Sequence, residues 1–196
     1  MSAIHEHVLQ NGMTLLCWPQ RHLHGLEFGL YLKGGPLYET EETQGISNLL
    51  EHLCFRGLGG LNREGLLREL NRFGTNLDAA TYAEGLVFRL KCLPRFFDAA
   101  LEYFLRFFAN VPWTPEQIAA EKQVVLRQLE ADGDGDLFDR AACDFRRTEN
   151  GAFPPLGTPE SLMALTEADI QLWQEMIFQP QNACLVMTGN LSDGME

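Results

Sequence analysis

The chain has no Gly-x-Ser-x-Gly elbow, no Cys-x-x-Cys pair and no apolar run of about 18 residues. Each absence removes a class of function. Without the elbow, a serine hydrolase of the α/β type has no exposed nucleophile. The five cysteines, Cys17, Cys54, Cys92, Cys143 and Cys184, are odd in number and widely spaced. They read as reduced core thiols rather than as a disulfide framework or a zinc knuckle. No stretch is apolar enough to span a bilayer, and no basic, apolar-core leader opens the sequence, so the expected location is cytoplasmic with no membrane partner. Basic residues are also scarce, 15 against 27 acidic ones for a formal net charge of −12. That balance opposes a phosphate backbone, so nucleic acid is not an expected partner.

What is present suffices for one domain spanning residues 1–196, since 45% of the chain is hydrophobic and neither an internal repeat nor a low-complexity linker divides it. Asn11-Gly12, between Val8-Leu9-Gln10 and Met13 to Trp18, predicts an opening β-hairpin because both turn residues tolerate positive φ. Leu26 to Leu32 alternates as a third strand and stops at Gly34-Gly35-Pro36. Helical spacing runs from Asn62 to Arg72 and ends at Gly74; Leu77 to Thr81 and Gly85 to Leu93 read as paired strands.

Helices are then expected over Phe96 to Ala109, Pro115 to Glu130 and Leu137 to Arg147, the second opened by the capping signature Thr114-Pro115-Glu116-Gln117. The aromatic stripe Phe96, Phe97, Phe104, Phe107 and Phe108 fits a helix-to-sheet core. Ala131 to Asp136, rich in Asp and Gly, lacks the bidentate acid and spacing of an EF-hand and reads as a turn. Short helices from Glu160 to Leu165 and Ala168 to Met176 precede a last strand, Ala183 to Thr188. This order predicts an α+β fold, a two-layer sandwich with helices packed on one face of a mostly antiparallel sheet.

The most informative stretch is Asn48-Leu49-Leu50-Glu51-His52. It reads as the inverted zinc-peptidase motif H-x-x-E-H with an amide in place of the first histidine. Its flanks, Gly45-Ile46-Ser47 before and Leu53-Cys54-Phe55-Arg56-Gly57 after, resemble the active-site helix of the insulinase, pitrilysin and mitochondrial processing peptidase family. Further along, Phe73-Gly74-Thr75-Asn76-Leu77-Asp78-Ala79-Ala80-Thr81 resembles the family segment that supplies an edge strand for docking peptides, with Asp78 in place of an asparagine. Glu121 to Gln128 is similar to the helix that ends in the third zinc ligand. Gln128, 76 residues after His52, stands where the family has a ligand glutamate. Pro155-Leu156-Gly157-Thr158-Pro159-Glu160-Ser161 and Pro180-Gln181-Asn182-Ala183 extend the likeness to the last strand.

The resemblance implies a metal site with His52 as its one retained ligand, Asn48 and Gln128 at substituted ligand positions, Glu51 as a vestigial general base and Glu121 as an accessory carboxylate. Asp78, Ala79 and Thr81 would belong to the substrate strand. Hydrolytic zinc needs about three protein ligands and an open position for water. One imidazole and two neutral amides supply neither the charge nor the donor strength.

No cofactor is therefore expected, zinc being the alternative, and Glu51, His52 and Glu121 have a second reading as a buried polar network, with Glu51 bonded to Gln128 and His52 to Asn48. The paired histidines His5/His7 and His22/His24 would each share a strand face, but as exposed strand-end residues. The expected role is a catalytically degenerate, peptide-binding or chamber-forming half that pairs with a second domain or subunit of the same fold. The alternative is an active zinc metalloendopeptidase with an unusual ligand set; for the isolated chain the balance leans away from an enzyme.

Overall fold

Asn11-Gly12 turns the chain as its chemistry dictates. Gly12 sits at φ 87°, and the Asn11 side-chain oxygen accepts from Met13 N at 3.1 Å. The hairpin joins β1 (His5–Val8) to β2 (Thr14–Pro19). The computed structural model describes residues 3–109, 112–132 and 153–192. The helix expected over 137–147, Cys143 and most of the Asp/Gly turn after Ala131 lie outside these residues.

Among the described residues the main sheet has six strands. After the hairpin come β3 (Leu26–Lys33), a two-residue pair of strands β4 (Gly57–Leu58) and β5 (Leu61–Asn62), then β6 (Leu77–Tyr82), β7 (Gly85–Cys92) and β8 (Ala183–Gly189). The order is β1-β2-β8-β3-β7-β6, with every pairing antiparallel except β2 with β8. β6 is thus an edge strand, as the family likeness implies. Residues 21–24 form turns and bends rather than a strand, so His22 and His24 do not share a strand face.

Alternation decides which face carries the core. In β3, Leu26, Phe28, Leu30 and Leu32 are buried while Glu27, Gly29 and Tyr31 are half-buried; β8 repeats the pattern. The helices are α1 (Ile46–Cys54), α2 (Arg63–Phe73), α3 (Phe97–Leu105), α4 (Pro115–Asp132), α5 (Pro159–Ala164) and α6 (Glu167–Ile177). The aromatic stripe meets the buried sheet face: Phe28 lies 5.6 Å from Phe97 and 5.9 Å from Phe104 between ring centroids, and Phe88 lies 4.4 Å from Phe107. Each such ring or aliphatic side chain, fully buried, contributes roughly 1.5–3 kcal/mol. The expected helix from Phe96 to Ala109 is α3 followed by a 3-10 turn at Arg106–Ala109.

α1 is the helix that carries the motif, and its N-terminal end is fixed by distant groups. Gly45 caps it at φ 85°, where an added Cβ would lie 2.7 Å from the Leu156 carbonyl oxygen. The buried Glu39 carboxylate accepts from Gly45 N at 2.8 Å and Ser47 N at 3.0 Å, satisfying two of the helix's orphan donors. Trp173 of α6 donates to Ser47 Oγ at 3.2 Å. The capping box of α4 is present, with Thr114 N donating to Gln117 Oε1 at 2.8 Å.

Candidate functional site

Helical spacing sorts α1 into two faces. Ile46, Leu49, Leu50 and Leu53 are wholly buried, which leaves Asn48, Glu51 and His52 as the i, i+3, i+4 polar stripe. That stripe meets β6 on one side and α4 on the other, and each polar residue finds a different environment.

His52 is oriented by α4. Its Nδ1 lies 3.4 Å from Oε2 of Glu121, a carboxylate only 5% exposed. The Arg56 guanidinium, one turn beyond His52, donates through Nε to the other oxygen, Oε1 of Glu121. This carboxylate–imidazole pairing is the one that fixes a metal-ligating histidine, with Nε2 left for another partner. Arg56 lies just past the end of α1, in the Phe55-Arg56-Gly57 segment that closes the helix, and the sequence pattern does not name Glu121 as its partner.

Glu51 is held by the edge strand, its Oε2 accepting from Thr81 Oγ1. Burial pushes its carboxyl above the ordinary range and Asp78 adds to the rise, while the Thr81 hydroxyl and His52 pull it down. Asp78 itself is exposed, opposite Arg89 in register, and Ala79 is half-buried. In place of the expected bonds Glu51–Gln128 and His52–Asn48, Glu51 accepts from Thr81 and His52 faces the Glu121 carboxylate. Gln128 is exposed on α4, and the buried side chain that α4 turns toward His52 is Glu121, seven residues earlier.

Asn48 is 9% exposed, and its Oδ1 is buried with no hydrogen-bond partner among the described residues. Such an orphan acceptor costs about 1–3 kcal/mol. The Tyr103 hydroxyl is in the same condition, in the wall of a cavity of about 320 Å³ that also borders His52, Arg56, Glu121, Leu66 and Leu70.

These residues do not fit a zinc ion. One imidazole, the neutral amide of Asn48 with its buried oxygen and the exposed amide of Gln128 do not give the charge or donor strength of a zinc-binding trio. Among the described residues no group of three or more His, Cys, Asp or Glu side chains is arranged to hold a metal. What the arrangement can do is present a hydrogen-bonding floor, made of Glu51, Thr81 and His52, beside the edge of β6.

Comparison with known proteins matches residues 24–147 to the family described as insulinase, peptidase family M16. A protein of Rickettsia felis described as an uncharacterized zinc protease is 26% identical over 186 residues, covering 93% of this chain and 45% of that protein. Among solved structures, a protease from Helicobacter pylori superposes with a TM-score of 0.89 at 22% identity, over 98% of this chain and 47% of its own. A domain from Pseudomonas fluorescens described as a peptidase M16 inactive domain superposes with a TM-score of 0.85 at 17% identity, over 97% of this chain and 47% of its own. These structural likenesses concern the fold. The chain spans about half the length of the relatives it matches.

Proposed function

The chain belongs to the insulinase family of peptidases, and from that premise we propose that it is a non-catalytic half, one that binds peptide or walls a chamber rather than cleaving. Its partner is a second domain or subunit of the same fold. The observation that carries this reading is the make-up of α1's polar stripe: where the family has its first histidine, Asn48 offers a neutral amide whose oxygen is buried and has no hydrogen-bond partner among the described residues, which leaves His52 as the stripe's one imidazole. A hydrolytic metal needs about three protein donors of sufficient charge and strength, and neutral amides are poor ones.

The edge position of β6 supports the peptide-binding part. A free edge offers unpaired backbone groups to an extended chain, and recognition by strand addition draws its affinity from those bonds. Matching relatives are about twice as long as this chain, which supports the pairing with a second domain. Protein of this chain placed with its natural neighbours would co-purify with a polypeptide or domain that carries an intact H-x-x-E-H motif.

The rival reading, a zinc endopeptidase with an unusual ligand set, is favoured by the zinc protease description of the Rickettsia relative and by retention of Glu51 and His52. Elemental analysis separates the two. The non-catalytic reading expects no stoichiometric zinc and no rise in Tm on adding zinc; the enzyme reading expects both. Asn48→His with Gln128→Glu should create zinc binding in the first case, and failure of that pair would count against the position assigned to Gln128.

A further inference from the structure

A cavity of about 640 Å³ lies away from α1, at the end of the sheet where β3 starts and β7 stops. Thr81 stands opposite Leu86, and the cavity floor is Cys92 on the same strand, so six residues, about 20 Å, separate it from the Glu51 contact. No part of the proposed peptide-binding role uses it.

Its construction is apolar within and cationic at the rim. Leu26 and Cys92, cross-strand partners, form the floor, and Phe73 and Phe96, tilted with centroids 5.8 Å apart, form a wall. Burial pushes the Cys92 thiol up to about 11, so the floor is uncharged near neutral pH. Leu23 and Leu93, 44% and 45% exposed, are the lips. A volume in the range of about 300–1,000 Å³ with apolar walls and a few convergent polar groups is that of a small-molecule site.

Charge narrows the ligand. The lining carries Arg72, Lys91 and Arg95, together with the imidazole of His24, against one carboxylate, Glu27, in a chain whose overall charge is −12. Lys91 is balanced by Glu27 at 3.7 Å and Arg72 by Glu69 at 3.1 Å. Arg95 lies over the Phe96 ring, 4.8 Å from its centroid, and has no carboxylate partner among the described residues. One unbalanced cation above an aromatic and aliphatic basin matches a monoanion with an apolar body better than a multiply charged, wholly polar anion such as phosphate.

We propose that this cleft binds an apolar carboxylate, its hydrocarbon part between Phe73, Leu26 and Leu93 and its carboxylate on Arg95. Two sources share that chemistry, the C-terminal residue of a polypeptide and a free medium-chain fatty acid. The test is a titration of the isotopically labelled chain, followed by amide NMR, with N-acetyl-phenylalanine and octanoate and with the primary amide of each. The expected result is that at least one carboxylate shifts the amides of Leu26, Cys92 and Leu93, that its amide binds about tenfold more weakly or less, and that Arg95→Gln removes this preference. Binding by N-acetyl-phenylalanine alone points to a polypeptide end, and binding by octanoate alone to a fatty acid. Equal binding of acid and amide, an unchanged preference in Arg95→Gln, or no shift up to about 10 mM of either acid overturns the proposal.

Discussion

Nδ1 of His52 lies 3.4 Å from Oε2 of Glu121, and that carboxylate is the joint between α1 and α4. Arg56 takes its other oxygen, so one buried anion serves an imidazole and a guanidinium at once. Glu121→Ala leaves Arg56 and His52 facing an apolar gap. The expected cost is about 2–3 kcal/mol, because a buried charged network loses its centre. Urea unfolding checks it, as a lower midpoint at unchanged m. Arg56→Met, which leaves Glu121 beside the His52 imidazole, should cost less.

Glu51 gives a pH dependence with a defined sign. Its folded-state carboxyl titrates above the ordinary value of 4.5, chiefly through burial. The folded protein therefore binds this proton more tightly than the unfolded chain, and the contribution to stability is full below 4.5 and lost as pH rises through the raised folded value. Glu51→Gln should match the parent near pH 4 and be the more stable of the two at pH 7. Thermal melts of both proteins across that range test it; a parent protein that gains on the variant as pH rises would sink the idea.

Gly45 tests how α1 is seated. At φ 85°, with the Leu156 carbonyl 2.7 Å from any added Cβ, Gly45→Ala meets backbone that cannot swing aside. A loss of more than about 2 kcal/mol is expected, since the strain of the left-handed conformation adds to the clash. Gly74→Ala, at φ 67° with nothing within 4 Å of the added carbon, carries the conformational strain alone. The difference between the two variants in denaturant melts isolates the clash.

Lys122 closes α5 from outside. Its Nζ donates to the Leu165 carbonyl and, at 3.4 Å, to that of Met163, satisfying oxygens the short helix cannot. Lys122→Met keeps the stem and removes the donor. A destabilisation of about 1–2 kcal/mol is expected, with amide exchange speeding first in α5.

Much of this architecture is written locally. The Asn11-Gly12 hairpin, the alternation of β3 and the capping residue Thr114 each need only neighbouring residues to act, and each forms where its chemistry predicts. The parallel pairing of β2 with β8 joins residues about 170 apart, and no local pattern specifies it. The two-residue strands β4 and β5 are too short for any periodicity.

At the site, spacing on α1 brought Asn48, Glu51 and His52 to one face, but not the choice of partners. Whether Glu51 meets Thr81 or Gln128 depends on how α1 is rotated between β6 and α4, a matter of packing across elements. The histidines at 22 and 24 failed as a strand pair for a simpler reason, because the backbone between Arg21 and Gly25 turns instead of extending.

β8 fills the slot between β2 and β3, although it follows them by more than 150 residues. Until it arrives, both neighbours present a row of unpaired amides and carbonyls toward each other across a gap one strand wide. The β2–β8 and β8–β3 pairings therefore cannot form before residues 183–189 have been synthesised. Assembly from such distant pieces is slow by nature, and a synthetic peptide of residues 183–189 added to a chain cut before Ala183 should fill the same groove.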